Sequence, residues 1–183
     1  MAMPFFTIGH STLPVAAFID PLRQAQVEVV VDIRTVPRSR TNPQYNADVL
    51  ADSLAEAGIA YRQMPELGGL RGRQRGVPRT TNAFWENERF HNYADYAMGA
   101  DFRSGLTKLR TLGQARRCAI MCAEAVWWRC HRRIVADYLM AAGEAVFHIL
   151  GRGHVDPAQL TSAAQPGPAG VLEYPAEASL FER

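Results

Sequence analysis

Five β-branched aliphatic side chains, Val27, Val29, Val30, Val31 and Ile33, fall within seven residues, interrupted only by Glu28 and Asp32. Such a run leaves little polar face to turn to water, so it suits a central strand covered on both sides. Strands of that kind belong to parallel sheets, whose crossovers are usually helices laid on the faces. The flanking sequence supplies them in alternation. Phe5-Phe6-Thr7-Ile8 reads as a first strand ending at Gly9, and Val15, Phe18, Ile19 and Leu22 recur at helical spacing between about Pro14 and Gln26. A helix from Ala47 to Ala57 stops at Gly58, and Ile59–Met64 reads as a third strand. A helical stretch from Phe84 to Leu112 is expected to break near Gly99. Arg117–Cys122 is a fourth strand, Trp128–Ala142 an amphipathic helix and Ala145–Leu150 a fifth strand.

This alternation predicts an α/β fold: a mainly parallel sheet of about five strands with helices on both faces, a Rossmann-like three-layer sandwich. Residues 1–150 are expected to form one domain. Residues 151–183, rich in Pro, Gly and Ala, form a C-terminal extension that packs on it or trails from it. The chain shows no apolar run of bilayer length and no charged n-region with a long apolar h-region at its start, so the cytoplasm is the expected compartment and no membrane partner is expected. Three cysteines, Cys118, Cys122 and Cys130, without an export signal argue against a disulfide scaffold and for reduced thiols.

A net charge of +2 does not mark a nucleic-acid binder. The basic residues are nevertheless arginines with the single exception of Lys108, and they cluster as Arg34, Arg38 and Arg40; Arg71, Arg73, Arg75 and Arg79; and Arg129, Arg132 and Arg133. Guanidinium forks suit phosphate and carboxylate groups, although a solvated surface explains any one cluster equally well.

In open parallel sheets ligands bind beyond the carboxyl ends of the strands. Each predicted strand delivers reactive side chains there. The first ends in Gly9-His10-Ser11-Thr12. The second ends in Asp32-Ile33-Arg34, followed by Pro37-Arg38-Ser39. The third leads to Leu67-Gly68-Gly69-Leu70-Arg71. The fourth ends in Cys122-Ala123-Glu124, ahead of Cys130-His131-Arg132-Arg133. Each has a plain explanation: Ser11 as a helix cap, Asp32 and Arg34 as ion-pair partners, Gly68-Gly69 as a tight turn. Their arrival on one edge is the functional argument. Cys122, Glu124, Cys130 and His131 are candidate ligands for a divalent metal, the one cofactor the sequence suggests. Cys122, at a strand end before a helix, is equally a candidate nucleophile. The bulky, glycine-free stretch from Ala123 to Trp128 does not suit the compact anion loop of a phosphatase or rhodanese. Walker A, dinucleotide and serine-hydrolase signatures are absent from the sequence.

The set Thr7-Ile8-Gly9-His10-Ser11, Asp32-Ile33-Arg34, Pro37-Arg38-Ser39, Leu67-Gly68-Gly69, Cys122-Ala123-Glu124 and Cys130-His131-Arg132-Arg133 resembles the bacterial family called domain of unknown function 488, from about Phe5 to Leu150. The resemblance implies that these motifs belong to one site and implies no reaction.

Three functions stay open at this point. The first is an enzyme of hydrolase or nuclease type acting on a phosphate-containing substrate, a nucleotide or a nucleic acid. Ser11, Arg34, Arg38, Ser39, Gly68, Gly69, Arg71 and Arg132 would bind the anion, His10 or His131 would move protons, and Asp32 or Glu124 would orient the base. The second is a non-catalytic ligand- or metal-binding module. The third is thiol chemistry at Cys122.

Overall fold

The computed structural model describes residues 2–151 and 154–178. Its centre is a six-stranded sheet in the order β3-β2-β4-β1-β5-β6, comprising β1 (Phe5–Gly9), β2 (Val29–Asp32), β3 (Ala60–Gln63), β4 (Cys118–Cys122), β5 (Val146–Ile149) and β6 (Val155–Pro157). The first five strands run parallel, and β6 pairs antiparallel with β5. The expected three-layer α/β architecture is therefore present. The antiparallel edge strand comes from the tail, where the sequence shows no periodicity.

Alternation along the buried strands decides the layers. Ile8, Val30, Ala119 and Met121 face a core shared with Phe18, Ile19 and Leu22 of α1 (Val15–Gln24) and Leu50 and Leu54 of α2 (Ala47–Glu56). Val29, Val31, Ile120 and Cys122 face the opposite core. That core holds Tyr93 of α3 (Glu88–Ala97), Phe102 and Leu109 of α4 (Ala100–Ala115), and Ile134, Val135 and Leu139 of α5 (Arg132–Ala141). Leu172 and Tyr174 from the tail, both fully or nearly fully buried, complete it. The break expected near Gly99 separates α3 from α4, with Gly99 as the N-cap of α4. The helix expected from Trp128 begins later, at Arg132, because Trp127–Arg129 makes a separate 3-10 turn and Cys130 is extended. Among the described residues no helix is long and apolar enough to cross a membrane.

The topology fixes where a ligand can enter. Strands β1 and β4 are neighbours, yet the helices that follow them, α1 and α5, lie on opposite faces. The chain thus diverges above their carboxyl ends and leaves a crevice there.

Candidate functional site

Hydrogen bonds from His10 N–H to the Cys122 carbonyl and from Ser11 N–H to the Ala123 carbonyl, both 2.9 Å, continue the β1–β4 pairing past the sheet edge. Above this pairing lies an open cleft of about 720 Å³. It is lined by His10, Ser11, Arg34, Arg38, Ser39, Gly69, Cys122, Glu124, Cys130 and His131, so each of the six motif segments contributes at least one residue to it. Asp32, Gly68, Arg71 and Arg132 do not line it.

Asp32 and Arg34 form the foundation. The Asp32 carboxylate is fully buried and accepts from Arg34 Nη2 at 2.7 Å, Arg34 Nε at 2.9 Å, the Arg34 backbone N–H at 3.0 Å and the Tyr61 hydroxyl at 2.5 Å. Burial, with the bond to Asp32 adding to it, pushes the Tyr61 phenol well above its ordinary range. Arg34 also donates to the Tyr45 carbonyl at 2.8 Å, which leaves Nη1 facing His10 Nε2 at 3.4 Å. His10 Nδ1 lies 2.7 Å from the Ser11 carbonyl and must carry the proton, because a carbonyl only accepts. Its ring stacks on Tyr45 with centroids 4.0 Å apart. Burial holds His10 below the ordinary imidazole range, so Nε2 is a bare acceptor at neutral pH.

Arg132 builds the other wall. Its side chain is 1% exposed and, among the described residues, forms no ion pair with a carboxylate. It donates to the Glu124 carbonyl at 2.6 Å, the Ala125 carbonyl at 3.1 Å and Cys122 Sγ at 2.7 Å. Burial lowers its pKa to about 10, against the pull of Glu124, and it remains charged at neutrality. The sulfurs of Cys122 and Cys130, eight residues apart in the sequence, lie next to each other. Cys130 Sγ also accepts from the Arg132 backbone N–H at 3.4 Å and lies 3.7 Å from His131 Nδ1. His131 Nε2 donates to the Ile33 carbonyl at 2.9 Å. Gly69 is required against this ring: a Cβ there would sit 2.5 Å from His131 Nδ1. Gly68 packs in the same way on Thr35, with Oγ1 2.7 Å from where its Cβ would be. Arg71 donates to the Gly68 and Pro65 carbonyls and lies over the Tyr96 ring at 3.9 Å.

Cys122, Cys130 and His131 lie close together, but the four donors considered for a metal do not form a ligand set. His131 spends Nε2 on a backbone carbonyl, and the exposed Glu124 carboxylate accepts from Val126 N–H at 3.4 Å. Among the described residues no group of three or more His, Cys, Asp or Glu side chains is placed to hold a metal ion.

The cleft also contains residues that strand-end reasoning does not reach. Arg89 and Phe90 arrive from the first turn of α3, and Arg129 from the turn before α5. Arg129 stands within a visible arginine cluster. Nothing local in the sequence points Arg89 toward the sheet edge. Of the aromatic residues, Trp85 is buried against Phe84, Phe90 and Tyr174, and Trp127 stacks on His148 with centroids 4.5 Å apart.

Burial gives the site a pH signature. It pushes both His131 and His148 down to about 4 from an ordinary value of 6.5. The unfolded chain binds these protons near pH 6.5 while the folded chain refuses them until about pH 4, so protonation favours unfolding. Stability is then full above about pH 6.5 and is lost as pH falls toward 4. Urea midpoints measured across that window should fall with pH, and less steeply in His148→Gln. An unchanged slope in the variant refutes the assignment to His148.

No curated protein and no solved structure matches the chain. One family model does, over residues 14–139, which is more than half of the sequence and includes all of the site except its β1 segment. The chain therefore belongs to the family described as domain of unknown function DUF488.

Proposed function

We propose that this chain is an enzyme whose cleft takes a phosphate-containing substrate. One observation carries the reading. Arg38, Arg89 and Arg129 bring three exposed guanidinium groups to one cleft, and none has a hydrogen-bond or ion-pair partner among the described residues. The buried arginines Arg34 and Arg132 have most of their donors taken by protein groups and serve as scaffold. An unpaired guanidinium fork fits phosphate oxygens in bidentate fashion. The cleft volume of about 720 Å³ lies in the range of small-molecule sites and accepts a nucleotide-sized ligand. Neutral His10 and exposed Glu124 are the groups at the cleft that can move a proton at pH 7. A nucleotide fits better than a nucleic-acid strand, since the chain carries a net charge of only +2 and the arginines are gathered in one cleft.

The test is binding of a fluorescent ATP analogue and of a labelled single-stranded oligonucleotide, each titrated with salt from about 50 to 200 mM. The nucleotide should bind, and Arg38→Ala/Arg129→Ala should weaken it by about tenfold or more, or roughly 1.4 kcal/mol. The oligonucleotide should bind weakly. Glu124→Gln should leave nucleotide binding intact. Nucleotide affinity indifferent to both arginines refutes the proposal, and a steep salt dependence with the oligonucleotide shifts it to a polymer substrate.

A further inference from the structure

Strand β4 begins with Cys118 and ends with Cys122, both buried, and the surroundings of the two sulfurs differ. Cys118 is buried, its Sγ contacts the Arg116 carbonyl at 3.4 Å, and burial pushes its thiol up to about 12. Cys122 faces the cleft, meets Cys130 and lies 2.7 Å from a guanidinium. That guanidinium is nine-tenths buried or more and, among the described residues, forms no ion pair with a carboxylate and leaves Nε without a partner. A buried arginine of this kind is compensated best by an anion, and of the two groups its Nη1 reaches, the Glu124 carbonyl and Cys122 Sγ, only the sulfur can become one. A cation at that distance favours the thiolate over the thiol, and the thiolate is the form that attacks.

We propose that Cys122 and Cys130 are a working dithiol that exchanges with a disulfide carried by an anionic molecule. The anionic character of the partner rests on the substrate reading above, and the dithiol itself does not. Cys122 thiolate attacks one sulfur of RS–SR. The Cys122–S bond forms, the S–S bond breaks and RS⁻ leaves. Cys130 gives its proton to that thiolate or to water and attacks Cys122 Sγ, expelling the second RS⁻, which takes a proton from solvent. Two electrons pass from the cysteine pair to the disulfide, giving one protein disulfide and two thiols. An external thiol reverses both steps. Cys130 is the resolving partner, prepared by the Arg132 backbone N–H and by proximity to Cys122. The rim arginines Arg38, Arg89 and Arg129 select the charge on R.

The experiment reduces the full chain, removes the reductant and follows its mass against three disulfides: coenzyme A disulfide, which carries phosphates; oxidised glutathione, which carries carboxylates; and cationic cystamine. The wild type should lose two hydrogens in mass and release two thiols per chain. Cys130→Ser should stop as a mixed disulfide on Cys122. Cys122→Ser should slow by about tenfold or more, and Cys118→Ser should not change. Coenzyme A disulfide should react about tenfold faster than cystamine, a preference that Arg38→Ala/Arg129→Ala abolishes. Arg132→Met should slow all three disulfides by a similar factor. Thermal midpoints of the variants identify any that fail to fold, and the Cys130→Ser adduct reports on Cys122 without altering that residue. Absence of both bridge and adduct overturns the dithiol. Bridging at equal rates with all three disulfides overturns the anionic partner and leaves the dithiol standing. ATP-analogue binding without any exchange does the converse.

Discussion

Asp32→Ala is expected to lower the free energy of unfolding by about 3–5 kcal/mol, which for a chain of this length lowers Tm by roughly 6–20 °C. The carboxylate is fully buried and its bonds are organised around one guanidinium, with three donors from Arg34 and one from Tyr61. Removing it leaves the Arg34 charge, itself 6% exposed, with the Tyr45 carbonyl and the weak contact to His10. Breaking one side of such a pair costs far more than the pair contributes, because the survivor stays buried and uncompensated. Replacing both partners should therefore recover part of the loss: Asp32→Ala/Arg34→Met is expected to be more stable than Asp32→Ala alone. The same experiment separates two roles. A residue that acts on substrate loses rate when replaced by a close isostere and keeps its stability. Asp32→Asn should instead lose stability, because a carboxamide cannot neutralise Arg34. Chemical denaturation of the four proteins decides it. A loss below about 1 kcal/mol in Asp32→Ala would sink the scaffold role.

The pattern that reveals this pair as part of a sheet edge is easily read. A β-branched run with few polar interruptions can be satisfied by one kind of sheet, and the carboxyl-edge rule then locates the site. The fate of each side chain there is a different matter. Arg34, Arg71 and Arg132 look like ligands for an anion in a one-dimensional reading. In three dimensions their donors go to Asp32, to backbone carbonyls and to a sulfur. A guanidinium has five donors, and carbonyls freed by irregular loops satisfy them as well as a phosphate does. Arg38 lines the cleft as an exposed residue, with no partner for its guanidinium among the described residues. The pairing of Cys122 with Cys130 is hidden for a related reason. It depends on the 3-10 turn at Trp127–Arg129, which folds the chain back over the strand end, whereas the sequence suggests a helix already under way. Arg89 and Phe90 are reached through the packing of α3 on the second core, a long-range outcome that local periodicity does not encode. The edge strand β6 and the burial of Tyr174 are illegible for the same reason: a tail of mixed polarity gains its structure from the surface it meets.

Gly9→Ala is the substitution expected to damage the site most for the fewest atoms added. Gly9 is the last residue of β1, and an alanine Cβ there would lie 1.9 Å from the Glu124 carbonyl oxygen and 2.7 Å from its carbon. Both atoms are backbone, so no rotamer change relieves the contact. The ends of β1 and β4 must part. That strains the bonds from His10 N–H to Cys122 and from Ser11 N–H to Ala123, and it displaces the Glu124 carbonyl from Arg132 Nη1 at 2.6 Å. Overpacking together with impaired hydrogen bonds sets the expected cost at about 2–4 kcal/mol. Gly72→Ala and Gly76→Ala are the controls: nothing lies within 4 Å of either Cβ, and each should stay within about 0.5 kcal/mol of the wild type. The loss at Gly9 should extend to chemistry, because the displaced carbonyl is the one that holds Arg132 beside Cys122. Alkylation of Cys122 should slow in Gly9→Ala under conditions where the protein is still folded. Unchanged stability together with unchanged alkylation would mean that β1 and β4 can separate without disturbing Arg132, and that something other than the sheet edge sets the environment of the cysteine pair.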